Sequence, residues 1–133
     1  ENLEKVNWEY LSLNPNAIDM LKENLEKVNW KFLSRNPNAI SILRENLDKV
    51  SWADLSLNPN AIKILFENPL KIDLFFLCKN PNAISMIKRN LRKLKPYDWG
   101  NLSSNPNAID ILKENPDKVN WENLSSNPSI FYK

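Results

Sequence analysis

Apolar side chains return along this chain in two short bursts per repeat, with polar residues between them. One burst is Ala17, Ile18, Met20 and Leu21, and it comes back around Ala39, Ala61, Ala83 and Ala108. The other pairs an aromatic with a leucine three residues on: Trp8 with Leu11, Trp30 with Leu33, Trp52 with Leu55, Trp99 with Leu102, Trp121 with Leu124. Leu74 stands for Trp in the fourth copy. The spacing inside each burst is helical, and the first burst covers too wide an arc for a surface helix. Isolated helices below about 12–15 residues are marginal in water. The pattern therefore predicts two short helices per copy, A and B, held by stacking on neighbours.

Each helix A burst opens with Asn-Pro-Asn-Ala-Ile, at Asn14–Ile18, Asn36–Ile40, Asn58–Ile62, Asn80–Ile84 and Asn105–Ile109. A decayed Asn-Pro-Ser-Ile-Phe stands at Asn127–Phe131. The starts are 14, 36, 58, 80, 105 and 127, so the steps are 22, 22, 22, 25 and 22. Asn before Pro predicts an N-cap. Pro15, Pro37, Pro59, Pro81 and Pro106 are then expected at the first helical position. Helix A should run about nine residues, to Asn24, Asn46, Asn68, Asn90 and Asn115, as left-handed residues just past its end. The second Asn (Asn16, Asn38, Asn60, Asn82, Asn107) hardly varies, which favours a ladder of amides bonding to the adjacent copy over a row of recognition groups. The Ala column suggests a close approach.

Helix B is expected to start after Asn7, Asn29, Ser51, Asp73, Asp98 and Asn120, which differ in type yet are all good caps. Val6, Val28, Val50, Ile72, Tyr97 and Val119 precede them and should staple onto the leucine of the helix. A tandem repeat folds as one stacked body. The expectation is an all-α, right-handed α-solenoid of about six helix-turn-helix units, spanning 7–28, 29–50, 51–72, 73–97, 98–119 and 120–133. A leucine-rich-repeat coil has a compatible period. Against it, the column Leu13, Arg35, Leu57, Lys79, Ser104, Ser126 is no core column, and the prolines suit helices better than strands. The chain starts inside a copy and without Met, as a piece of a longer array would.

Charge and composition narrow the function by exclusion. Eighteen basic and 16 acidic residues leave a net +2, too balanced to imply nucleic acid or an anionic membrane for the chain as a whole. No apolar run approaches the ~20 residues of a membrane span, and no secretory leader is visible. There is no His, so the commonest general base and metal ligand is missing. The single Cys, Cys78, falls in the column of Ser12, Ser34, Ser56, Ser103 and Ser125, which marks a small helix residue. One Gly excludes a Gly-rich phosphate loop. No enzyme, cofactor or metal is expected.

The invariant columns, represented by Asn14, Pro15, Trp30, Asn36, Pro37, Trp52, Asn58 and Pro59, are assigned to structure. Each Trp should pack between successive helix pairs. Binding is sought where copies differ. Tyr10, Phe32 and Phe76 share a column and would line one face with aromatic anchors. Charge is uneven too. Copy 7–28 has 2 basic and 4 acidic side chains (2 − 4 = −2), copy 73–97 has 6 and 1 (6 − 1 = +5). Five of those six are Lys88, Arg89, Arg92, Lys93 and Lys95. The same copy has lost its Trp and carries an insertion near Lys95–Tyr97. The cluster could meet phosphates or an acidic protein patch.

The string Leu-Ser-x-Asn-Pro-Asn-Ala-Ile, with Lys-Glu-Asn-Pro-x-Lys-Val-Asn-Trp, resembles tandem repeats found in many copies in proteins of giant, nucleocytoplasmic large DNA viruses of protists. The resemblance covers nearly the whole chain, except the fourth copy and the end at Ile130, Phe131 and Tyr132. It implies a viral interaction or structural protein, placed in host cytoplasm or virion. The reading is a non-catalytic scaffold binding a host or viral protein. The alternatives are a virion assembly component and a nucleic-acid binder using the basic fourth copy.

Overall fold

A computed structural model describes residues 2–131. Among these residues the chain is helical throughout, with eleven α-helices and short 3-10 turns and no strand. The B helices are α1 (Trp8–Leu13), α3 (Trp30–Leu33), α5 (Trp52–Ser56), α7 (Leu74–Leu77), α9 (Pro96–Ser103) and α11 (Trp121–Ser125). The A helices are α2 (Ile18–Glu23), α4 (Ile40–Glu45), α6 (Ile62–Glu67), α8 (Ile84–Arg89) and α10 (Ile109–Glu114). Packing joins each element to the next but one, as α1 on α3, α5 on α7, α7 on α9 and α9 on α11. This is a helical-repeat solenoid.

The core is one continuous strip built from two columns. Leu21, Leu43, Leu65, Ile87 and Leu112 come from the A helices, and Leu33, Leu55, Leu77, Leu102 and Leu124 from the B helices. Ala39, Ala61, Ala83 and Ala108 are fully buried at the A-helix starts, where a larger side chain would overpack the junction.

Helix A is shorter than the sequence suggested, six residues in each of the first five copies. Asn-Pro-Asn-Ala is a turn ahead of the helix and not its first turn. The Ala17 N–H donates to the Asn14 carbonyl at 3.1 Å, and the same bond recurs in each copy. Pro15 takes the second turn position, where its fixed φ fits, and Asn16 the third. Ala17 is the residue that precedes the helix. Asn14 does cap, but locally: its Oδ1 accepts the Asn16 N–H at 2.9 Å, an Asx turn.

The column at the helix A end also departs from expectation. Asn24, Asn46, Asn68, Asn90 and Asn115 have negative φ, between −116° and −136°. Each Nδ2 donates to the carbonyl four residues back, as Asn46 to Ile42 at 2.8 Å. The side-chain amide satisfies an orphan helix carbonyl, so no left-handed residue is needed.

Helix B caps where the sequence places them in five copies. Asn7, Asn29, Ser51, Asp73 and Asn120 each accept a backbone N–H three residues on. The fifth copy differs. The insertion at the end of the fourth copy forms an extra helical turn that starts at Pro96, so Asp98 lies inside α9 and reaches back to accept the Lys95 N–H at 2.8 Å. Leu94, extended at ψ 133° like Val6, Ile72 and Val119, holds the staple column. Tyr97 does not: it is 61% exposed on the new turn.

Candidate functional site

Polar residues that never vary hold the junctions. Asn58 is fully buried, and its Nδ2 donates to the carbonyls of Ser34 (3.0 Å) and Asn36 (2.9 Å) in the preceding copy. Asn36, Asn80, Asn105 and Asn127 make the equivalent pair of bonds. The ladder read into the second Asn is present beside it. Asn38, Asn60, Asn82 and Asn107 donate to the carbonyls of Pro15, Pro37, Pro59 and Pro81 at 2.7–2.9 Å. The serines add a third rail. Ser34 Oγ donates to the Trp30 carbonyl at 2.6 Å and accepts the Ser51 N–H of the next copy at 3.0 Å.

Cys78 takes the serine position in the fourth copy and is fully buried. The cap N–H that the serine accepts in other copies belongs here to Lys95, and it is donated instead to Asp98 Oδ2 at 2.8 Å. Burial, then the negative charges of Asp98 and Asp73, push the Cys78 thiol up from 9.0 to about 12. A protonated, enclosed thiol is a poor nucleophile. The raised pKa has a stability consequence. Between pH 9.0 and about 12 the unfolded chain loses this proton while the folded chain keeps it, so folding weakens as pH rises, by about 1.4 kcal/mol per unit. Cys78→Ser is expected to remove that part of the alkaline loss, measured as urea midpoints of both proteins at about pH 8 and about pH 10.5.

The Trp column packs as structure and is covered from above. Lys27 lies over the Trp8 ring at 5.5 Å, Lys49 over Trp30 at 5.5 Å, and Lys118 over Trp99 at 5.9 Å. The spacing of 19 residues between Trp and Lys was visible in the repeat, but a lone lysine ahead of a cap carries no signal until the rings are placed. Trp52 is half-buried like Trp30, while Trp121 stands 64% exposed.

The continuous aromatic face expected from Tyr10, Phe32 and Phe76 is not formed. This column points toward the preceding copy. In later copies it is filled by Asn101 and Asn123, whose Nδ2 groups donate back to the Phe75 and Gly100 carbonyls. Phe32 and Phe76 are half-buried there. Asp54, between them, is buried, paired with Arg35 and bonded by Ser51 Oγ. Tyr10 is 74% exposed because it belongs to the first copy.

The basic residues give the coherent surface. Lys88, Arg89, Arg92, Lys93 and Lys95 are all exposed, and among the described residues none enters an ion pair. Lys88, Arg89, Arg92 and Lys93 line a cleft of about 450 Å³ that turns from α8 into the 3-10 segment Leu91–Lys93. A second cleft, of about 250 Å³, joins Arg89 to Phe66, Pro69, Ile72 and Met86 of the junction with the third copy. There the Arg89 guanidinium sits 5.5 Å from the Phe66 ring centre. Phe66 is 58% exposed and Leu70 is 98% exposed.

Phe66 and Leu70 are the residues that sequence reading passed over. The signal was present. Phe66 stands in the column of Lys22, Arg44, Lys88 and Lys113, and Leu70 in that of Glu26, Asp48, Arg92 and Asp117. An apolar residue in an otherwise charged column is placed on the surface by its neighbours in the repeat. Among the described residues no His, Cys, Asp and Glu group is arranged to hold a metal, and no helix is long and apolar enough to cross a membrane. Against family models, curated proteins and solved structures, the chain has no match.

Proposed function

We propose that this chain is a non-catalytic scaffold that binds a protein partner across the junction of its third and fourth copies. One observation carries the reading: Phe66 projects into solvent against the Arg89 guanidinium, Lys88 and Arg92 share the adjoining cleft, Leu70 is exposed on the segment that follows Phe66, and among the described residues none of these three cations enters an ion pair. Exposed apolar groups rimmed by one sign of charge suit a partner segment that is acidic and bears an apolar anchor. Nucleic acid is favoured less, because phosphates need only the cations, and a bare leucine adds nothing to that contact. The likeness of the repeat to those of giant-virus proteins agrees with a scaffold of viral origin.

The test is affinity capture with matched variants. Phe66→Ser with Leu70→Ser, and separately Lys88→Ser with Arg92→Ser, should each weaken capture of the same partner by at least tenfold, since apolar anchors and desolvated charges are each worth about 2 kcal/mol at an interface. The charge variant alone should also lose salt sensitivity. A partner retained equally by both variants would remove this site from consideration.

A further inference from the structure

Around the end of helix A the charges balance within each copy, with one exception. Four columns meet there. In the first copy they hold Lys22, Glu23, Glu26 and Lys27. The second and fifth copies likewise carry two cations and two acids in these places, and the third carries one of each. In the fourth copy all four are cations: Lys88, Arg89, Arg92 and Lys93. Arg89 and Arg92 stand in the two columns that are acidic in the first, second and fifth copies. The four side chains line one cleft of about 450 Å³. No acid from a neighbouring copy answers them. Arg44 pairs with Glu67 of the next copy at 3.0 Å. Lys88 holds the Arg44 place and Glu114 the Glu67 place one copy on, yet among the described residues neither enters an ion pair.

We infer that this cleft receives a phosphoryl group, carried on a phosphorylated side chain of the partner segment. The inference rests on the partner site proposed above and names its anionic element. Four cations around one cleft exceed what a single carboxylate balances. A phosphate monoester brings about −1.5 to −2 of charge and three acceptor oxygens in one group. Arg89 and Arg92 offer forked donors that match a pair of those oxygens, and Lys88 and Lys93 add flexible point charges. The Phe66 ring, 5.5 Å from the Arg89 guanidinium, steadies one of the forks. Arg89 also lines the adjoining apolar cleft with Phe66, Pro69, Ile72 and Met86. The phosphorylated residue therefore stands within a few positions of the partner's apolar anchor. Like charges crowded at one cleft repel one another, and nothing inside the chain offsets that repulsion; a bound dianion does.

Amide chemical-shift titration with N-acetyl-phosphoserine amide tests this, beside N-acetyl-glutamate amide at equal ionic strength. The phosphoserine probe should move the amides of residues 88–93 with half-saturation at about 1–10 mM, and the glutamate probe should bind at least tenfold more weakly. Arg89→Glu with Arg92→Asp restores the residue types of the second and fifth copies at two exposed positions, so the fold is kept. This double variant should lose the saturable shift. The titration needs no partner, so it reads the cleft even where capture fails. Phosphatase treatment of the lysate should weaken partner capture as much as Lys88→Ser with Arg92→Ser does. Equal binding of the two probes, or a shift that survives the double variant, overturns the inference. Capture that ignores phosphatase yet needs Phe66 and Leu70 also overturns it and leaves the scaffold reading standing. Tighter binding of single-stranded oligouridine through the same two arginines, with Phe66→Ser and Leu70→Ser without effect, overturns it in favour of nucleic acid.

Discussion

Asn58→Ala should cost about 4 kcal/mol of stability, more than any surface change in the array. The side chain is fully buried and makes three hydrogen bonds. Nδ2 donates to the Ser34 and Asn36 carbonyls, and Oδ1 accepts the Asn60 N–H at 3.0 Å. Truncation takes the side-chain donor from the buried Ser34 and Asn36 carbonyls, of which the second still accepts the Ala39 N–H, and the acceptor from the part-buried Asn60 N–H, at about 1–3 kcal/mol each. Asn58→Asp keeps the shape and the Asx turn. It should be no better, because a carboxylate cannot donate and would face two carbonyls. Asn60→Ala is the contrasting case. Asn60 is exposed and gives one bond, to the Pro37 carbonyl, so water replaces it and the loss should be near 1 kcal/mol. Urea unfolding followed by circular dichroism measures all three. Equal losses for Asn58→Ala and Asn60→Ala would show that the buried rail is no stronger than the exposed one.

Leu65→Ala is the second large effect, expected at about 3–5 kcal/mol. Leu65 is fully enclosed between copies, and the cavity left behind has no route for collapse or filling. Leu112 occupies the same column in α10 and is nearly as buried, yet it lines the open groove at the C-terminal end. Leu112→Ala enlarges a groove that solvent already reaches, so the cavity part of the cost is missing. Its loss should be smaller by about 1–2 kcal/mol. The pair isolates what a neighbouring copy contributes, since residue type, column and helix position are shared.

The physics of single columns was legible in the chain, and the physics of junctions was less so. Helix B starts could be placed because Asn, Ser and Asp replace one another freely at one position, and capping is the property they share. The core columns followed from apolar spacing. Asn-Pro was ambiguous, because a cap followed by an opening proline looks the same as a turn with proline in its second place. The second Asn argued for the turn, being a poor early-helix residue and a good third turn residue. The insertion near Tyr97 was assigned no structure, although Pro96 with Asp98 two residues on is a helix start in its own right. At the candidate site, the cations Lys88 to Lys95 stood out by count. Phe66 and Leu70 did not, because apolar residues near a helix end are assigned to the core until burial is known. The Tyr10, Phe32, Phe76 column was misplaced because variation between copies was equated with exposure. In this fold a varying position can also face the copy before it.

The side-chain amide and cap bonds between copies all run in one direction. The donor lies in the later copy and the acceptor in the earlier one, from Asn36 on the Ser12 carbonyl to Asn127 on the Ser103 carbonyl. The cap N–H groups of Asn29, Ser51, Asp73 and Asn120 follow the same rule toward Ser12, Ser34, Ser56 and Ser103. A ribosome releases the chain from its N-terminus at about 5–20 residues per second. Each copy therefore emerges to find its acceptors already fixed in place by the copy before it. Growth on the nascent chain becomes templated addition, in which no amide waits for a partner still to be synthesised.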